Sequence, residues 1–252
     1  MEPILSVNNL TKTFHNPGKG GLTAVDHVSF QLYPGEILGV VGESGSGKST
    51  IARLITRLID ATEGSIAVNG QDITHVKGAG LKRIYRQLQM VFQNPTGSFD
   101  PRRTLGDGIA ESLKNHGVPA KERCGRVAKL LKQCGLPEEF AGRYPHEVSG
   151  GQCQRAAIAR ALAIEPKILI CDEATSALDV TVQKQIVELL VSLRKDSGLS
   201  YLFICHNLAL VQMFCSRVLV LYDGRIVESG TPDEVILSPK SEYTKCLVDA
   251  VL

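Results

Sequence analysis

The sequence predicts an α/β fold built on a parallel sheet, with a β-rich N-terminal part and a helical block set into mid-chain. Three observations predict it. The runs Ile37–Val41, Lys167–Cys171 and Tyr201–Cys205 are short and continuously apolar, as strands buried on both faces are. Glycine or polar residues follow each run: Gly42, then Asp172-Glu173, then His206-Asn207. From about Thr104 to Glu147 the pattern changes to helical spacing.

The 252 residues allow one large core or a core plus a subdomain. With 43% hydrophobic and 21% charged residues, the composition is that of an ordinary globular protein. A formal net charge of +2 is too near neutral to indicate a nucleic-acid binder. No apolar run approaches the length of a membrane span, and no cationic head precedes an apolar stretch at the N-terminus. The expectation is a chain neither inserted nor secreted, hence cytoplasmic. Seven cysteines and six histidines are scattered without zinc spacing, so most cysteines are expected to be small buried residues in a reducing compartment.

In chain order, Ile4–Val7 and Val28–Leu32 alternate like half-buried strands, with a flexible loop predicted at His15–Gly21. Phe14 is either a core aromatic or a face for an adenine ring. Pro34-Gly35 turns into the strand Ile37–Val41. The stretch Gly42-Glu43-Ser44-Gly45-Ser46-Gly47-Lys48-Ser49-Thr50 follows, then a helix from Ile51. Strand, glycine-rich turn and helix are the context of a phosphate-binding loop. Its glycines let successive N–H groups face one concavity, and the helix adds its positive end. Lys48 can reach terminal phosphates and the Ser49 hydroxyl can ligate Mg²⁺.

Gly64–Gly70 reads as a short strand between glycine turns, and Leu88–Pro95 as a strand ending at Gln93. That amide is either a solvated turn residue or a group reaching a metal or the attacking water. Arg123–Cys134 places Val127, Leu130, Leu131 and Cys134 on one helical face. Ser149 N-caps an alanine-rich helix that opens with Gly150-Gly151, a costly pair unless a visitor, most naturally an anion, must approach the backbone N–H groups closely. Asp172 and Glu173 end a buried strand. They are either solvated strand-end acids or a Mg²⁺ ligand acting through water followed by a general base. Ser176–Asp179 leads to an amphipathic helix, Val180–Lys195. His206 ends the next strand at the same sheet edge, a placement that favours a functional histidine over the structural alternative. A hairpin is predicted around Asp223-Gly224, a capping box at Thr231–Glu234, and a short helix in the tail after Ser238-Pro239.

Together these motifs resemble the nucleotide-binding subunit of an ATP-binding-cassette (ABC) transporter over nearly the whole chain. In family order they are the phosphate loop Gly42–Thr50, the glutamine loop at Gln93 and the signature Val148–Gln152. The magnesium strand Ile168–Asp172 with Glu173, the dimer-contact loop Ser176–Asp179 and the switch histidine His206 complete the set. Val148 stands where leucine is usual, and Asn207 follows His206 where an acid is more usual. The resemblance implies a RecA-like P-loop ATPase core with an N-terminal antiparallel β-subdomain and an inserted α-helical subdomain. It implies one domain over 1–252: core and β-subdomain at 1–93 and 163–237, helical subdomain at about 94–162, tail at 238–252.

By the same resemblance, two cassettes pack head to tail, each ATP lying between one phosphate loop and Ser149, Gly150, Gly151 and Gln152 of the other subunit. Lys48 neutralises phosphate charge, Ser49 and Gln93 approach Mg²⁺, and Asp172 holds it through water. Glu173 is the general base, His206 touches the γ-phosphate, and Phe14 stacks on adenine. The implied partners are a second cassette, like or unlike, a transmembrane permease and, indirectly, an extracytoplasmic substrate-binding protein, with no nucleic acid. The implied location is the inner face of the membrane, peripheral through the permease.

Phe92–Arg102 is similar to the glutamine loop of oligopeptide, dipeptide and nickel importer ATPases, and Ser238-Pro239 with Tyr243-Thr244 resembles the start of their C-terminal region. The chain stops soon afterwards, so the expectation is a short member importing peptides or nickel and other metal chelates. Alternatives are an exporter ATPase and a soluble cassette of DNA repair or translation. The soluble cassettes usually carry two cassettes or a long coiled coil, and no sustained heptads occur here. No Asn-Lys-x-Asp guanine-reading run is present, which sets a GTPase aside.

Overall fold

The computed structural model describes residues 1–16, 20–176 and 178–250. The chain opens with β1 (Leu5–Asn16) and β2 (Gly20–Leu32), then β3 (Ile37–Val41), α1 (Lys48–Ile55), β4 (Glu63–Val68) and β5 (Gln71–Asp72). Next come α2 (Ala79–Tyr85), β6 (Leu88–Val91), α3 (Leu105–Asn115), α4 (Ala120–Gln133), α5 (Gly150–Leu162) and β7 (Ile168–Asp172). The last part holds α6 (Val180–Ser197), β8 (Ser200–Ile204), α7 (Leu208–Phe214), β9 (Arg217–Tyr222), β10 (Arg225–Gly230), α8 (Pro232–Leu237) and α9 (Glu242–Asp249).

Among the described residues the strands form two sheets. One is antiparallel, in the order β2-β1-β4-β5. The other runs β10-β9-β3-β8-β7-β6, parallel throughout except for the edge strand β10. In β2 the alternation predicted the pleat: Val28, Phe30 and Leu32 are buried while Ser29 and Gln31 are exposed. The loop expected at His15–Gly21 is shorter than predicted. His15 pairs with Gly21 and Asn16 with Gly20, so both strands extend into it. A ladder needs only backbone groups, so glycines that suggest a loop can still pair. Pro17, Gly18 and Lys19 of that loop lie outside the described residues.

The strands of the parallel sheet feed two cores, one on each face. Ile37, Val41, Leu169, Cys171, Tyr201 and Phe203 pack with the helical block and α5 to α7. Leu38, Val40, Ile168, Ile170, Leu202 and Ile204 pack with α1 and the antiparallel sheet. Burial on both faces is why these strands read as continuous apolar runs. The helical block predicted from periodicity is present. In α4 the buried residues are Val127, Leu130 and Leu131, and Cys134 caps its end. Its start at Ala120 precedes the predicted Arg123, because Pro119 supplies the turn into the helix. Short α2 was not predicted; only Ile84 is buried in it, too weak a stripe to register as a period.

Cys134, Cys153, Cys171, Cys205 and Cys215 are buried. Burial pushes the thiols of Cys134, Cys171 and Cys205 up to about 12, which leaves them as apolar packing groups.

The parallel register decides where function can sit. Val91 lies beside Cys171, Asp172 beside Ile204, and Val40 also beside Ile204. The residues after β3, β6, β7 and β8 therefore emerge at one edge of the sheet.

Phe203 is fully buried and meets Phe214 edge-on, with ring centroids 5.0 Å apart. Truncation to Ala is expected to cost about 3–5 kcal/mol by denaturant unfolding. The double variant with Phe214→Ala should lose less than the sum of the two single variants, since they share one contact.

Candidate nucleotide-binding site

The loop after β3 is shaped by walls that leave no room for side chains. At Gly42 (φ 149°) a Cβ would stand 2.2 Å from the carbonyl of Leu221, and at Gly47 (φ 105°) 2.3 Å from that of Ala24. Glycine is required at both on two grounds, positive φ and backbone contact. Lys48, only 4% exposed, donates from Nζ to the carbonyls of Gly42 at 2.8 Å and Glu43 at 2.6 Å. Ser46 Oγ lies 3.4 Å away. Burial pushes the Lys48 ammonium below its ordinary value, while Glu173 and Asp172 nearby oppose that shift. The first turn of α1 has no acidic residue and its N-cap, Gly47, makes no side-chain cap bond. A buried cation and a helix N-terminus are the groups from which anion sites are built.

Across the edge, Ser49 Oγ donates to Asp172 Oδ1 at 2.8 Å. Asp172 is buried, and burial pushes its carboxyl up. Gln93, two residues past β6, donates from Nε2 to Glu173 Oε2 at 2.7 Å. Glu173 holds a left-handed backbone (φ 48°), fixed by its N–H on the Ile204 carbonyl at 3.0 Å. Its own carbonyl accepts from Ser176 N and Ser176 Oγ, each at 3.0 Å. Strain of this kind persists only where neighbours over-determine it, and it is concentrated at functional sites. His206 follows β8 at the same edge and is exposed. Thus Lys48, Ser49, Asp172, Glu173 and Gln93 are joined pairwise by contact or charge, with His206 on the same rim.

Five predicted residues, in two places, stand apart from this cluster. Phe14 is 40% exposed on β1, with Lys12 Nζ 5.1 Å from its ring centroid, which removes the core-aromatic alternative. Ser149 and Gln152 form a reciprocal capping box at the start of α5, Oγ accepting at 3.3 Å and Oε1 at 2.9 Å. Gly150 is exposed. Gly151 is buried, and a Cβ there would stand 2.5 Å from Val182 Cγ1. Close packing on α6 therefore accounts for Gly151, a reason the sequence did not show.

Residues 25–176 match the family described as ABC transporter. The chain belongs to the ABC transporter family. The cassette is 49% identical over 259 residues to the glutathione import ATP-binding protein GsiA of Escherichia coli strain K12, across 99% of this chain. It spans 41% of that relative's length. Among solved structures, the ATP-binding cassette MJ0796, a dimer in a post-hydrolysis state bound to ADP and Pi, superposes with a TM-score of 0.83 at 31% identity. That match covers 90% of this chain and 98% of MJ0796. CbiO1 of Clostridium perfringens, part of the ABC transporter complex cbiONQ, gives a TM-score of 0.83 at 28% identity, covering 94% and 92% of the two chains. The fold is that of an ABC ATPase cassette.

Sequence reasoning missed two contacts of this cassette's site. Asn207 Oδ1 N-caps α7, accepting from Ala209 N at 3.0 Å and Leu210 N at 3.3 Å. An asparagine directly before an apolar helical run is a signal that could have been read. Tyr243 of α9 accepts from the Glu43 N–H at 2.9 Å and packs its ring, tilted, against Tyr222, centroids 4.2 Å apart. With 200 residues between them, no local pattern shows that contact.

Tyr243→Phe keeps the ring pair and deletes the acceptor behind the phosphate loop. One neutral hydrogen bond, about 1 kcal/mol, corresponds to roughly fivefold weaker ATP binding with little change in thermal unfolding. Unchanged affinity by calorimetry would show that the loop keeps its shape without α9.

Proposed function

We propose that this cassette is the ATP-hydrolysing subunit of an ABC importer that drives uptake of small peptides, with metal chelates the second substrate class, through a separate membrane permease. The observation that carries the ATPase reading is the Gln93–Glu173 contact beside the buried Ser49–Asp172 pair, all within reach of the phosphate loop. The importer reading is supported by the 49% identity to a glutathione import protein, glutathione being itself a small peptide. Among the described residues no helix is long and apolar enough to cross a membrane, which fits a subunit that acts from the cytoplasmic face through the permease.

In this reading the α1 N-terminus and Lys48 bind the ATP phosphates, and Phe14 offers its exposed ring to adenine. Ser49 and Asp172 present hard oxygens, and among the described residues no cationic side chain hydrogen-bonds the buried Asp172 carboxylate. That donor set fits Mg²⁺, which is held by one or two protein oxygens plus phosphates. Ser49 and Asp172 would hold the ion, with Gln93 a further candidate, and the ion would neutralise phosphate charge. Glu173 accepts the proton of the attacking water, the Gln93 amide holding its carboxylate in place. His206 contacts the γ-phosphate from the neighbouring strand end. The exposed Ser149-Gly150 turn, with Gly151 and Gln152, closes on the ATP of a second cassette packed head to tail. Residues 94–162 form the lobe that passes the closing motion to the permease, with a substrate-binding protein delivering solute on the far side.

Glu173→Gln is expected to lower ATP hydrolysis and peptide uptake by at least about 10²-fold in reconstituted transporter while ATP binding persists. Turnover near the wild-type rate would remove Glu173 from the role of base. Ser149→Arg should leave ATP affinity of the single chain within about twofold and abolish ATP-driven pairing by light scattering. Collapse of single-chain affinity would mean that Ser149 acts within its own subunit. Ser149 suits this test better than Gly151, whose replacement would also collide with Val182.

A further inference from the structure

Arg160 lies in the last turn of α5, the helix whose first turn carries Ser149–Gln152. Eleven residues at 1.5 Å each put these two groups roughly 16 Å apart along one helix. The guanidinium reaches out of α5 to the loop that begins at Gln93. Nη1 donates to the Ser98 carbonyl, and Nη2 donates to Ser98 Oγ at 2.9 Å. The guanidinium carbon also lies 4.3 Å from the centroid of the Phe99 ring. Ser98 Oγ in turn donates to the Pro95 carbonyl at 2.7 Å, and Asn94 Oδ1 accepts from Gly97 N at 2.9 Å. The segment from Asn94 to Phe99 is therefore a compact turn, held by α5 at one end and tied through Gln93 to Glu173 at the other.

The charge of Arg160 is poorly compensated. Among the described residues it forms no ion pair; the nearby Glu111 is engaged by Arg103 at 2.8 Å. Burial pushes its guanidinium below the ordinary value. An arginine placed in this way is not the cheapest packing solution, because an apolar side chain of similar length would avoid the desolvation. What it provides is geometry: a planar fork on one serine and a cationic face on one ring.

We propose that Arg160 is a positioning residue that makes the glutamine loop and the signature helix move as one body. Closure of a partner's ATP against Ser149 and Gly150 then resets Gln93, and with it Glu173, at the subunit's own ATP. The proposal rests on the head-to-tail reading above and adds the part that links the two sites within one chain.

The test is amide exchange on the full chain with and without a non-hydrolysable ATP analogue, comparing wild type with Arg160→Met. In wild type the analogue should protect both 149–152 and 93–99. In Arg160→Met, protection at 149–152 and thermal unfolding should be retained, while protection at 93–99 falls about tenfold. In the transporter, kcat should fall about tenfold with KM for ATP unchanged, and adding Gln93→Ala should lower it no further. Equal protection of both segments in Arg160→Met, or full additivity with Gln93→Ala, would overturn the proposal. If Arg160→Met does not fold, Arg160→Lys serves instead, keeping the charge and losing the fork. Absence of protection at 149–152 in wild type would overturn the pairing itself, a result distinct from failure of the Arg160 link.

Discussion

Parallel hydrogen bonding between β3, β8, β7 and β6 aligns their C-terminal ends, and the rest of the site depends on that alignment. Gly42 emerges after β3, Gln93 after β6, Glu173 after β7 and His206 after β8. A slip of one residue at β7 would turn Asp172 away from Ser49 and exchange the two faces of the strand. The register is held by the cores on both sides of the sheet, where alternate residues of each strand are committed to different neighbours. Stability of the sheet and placement of the chemistry are one property.

Electrostatics at the edge are arranged against folding and toward ligand. Lys48 is buried on backbone carbonyls, and Asp172 is buried on a serine hydroxyl. Each is a charge whose hydrogen bonds come from neutral groups, a costly state in a low-dielectric setting. A polyphosphate and its cation would supply what both lack. The loop glycines add a steric side to the same design, since the carbonyls of Leu221 and Ala24 occupy the space a side chain would take.

The helical block is not simply a second core packed against the first. α5 belongs to both: its buried residues join the main core, Ser149 and Gly150 at its start are exposed, and its last turn grips the loop after Gln93. At the opposite side of the phosphate loop, Tyr243 ties α9 to Glu43. Elements far from the phosphate loop in sequence thus bear directly on that loop and on the loop after Gln93.

The sequence by itself determined the parallel sheet, the phosphate loop, the caps at Ser149 and Thr231, and the helical interruption. Each of these is written in local spacing: apolar runs, glycine positions, or a capping residue before a helix. It also placed Gln93, Asp172, Glu173 and His206 at strand ends, which is why the candidate cluster was legible in advance. It did not show that β1 and β2 extend into the predicted loop, because a backbone ladder is indifferent to the side chains that suggested a turn. Nor did it show why Gly151 is glycine, what Arg160 holds, or that Tyr243 touches Glu43. Those contacts join residues 31, 62 and 200 positions apart. Only tertiary packing decides such pairs, because no local period or propensity connects them.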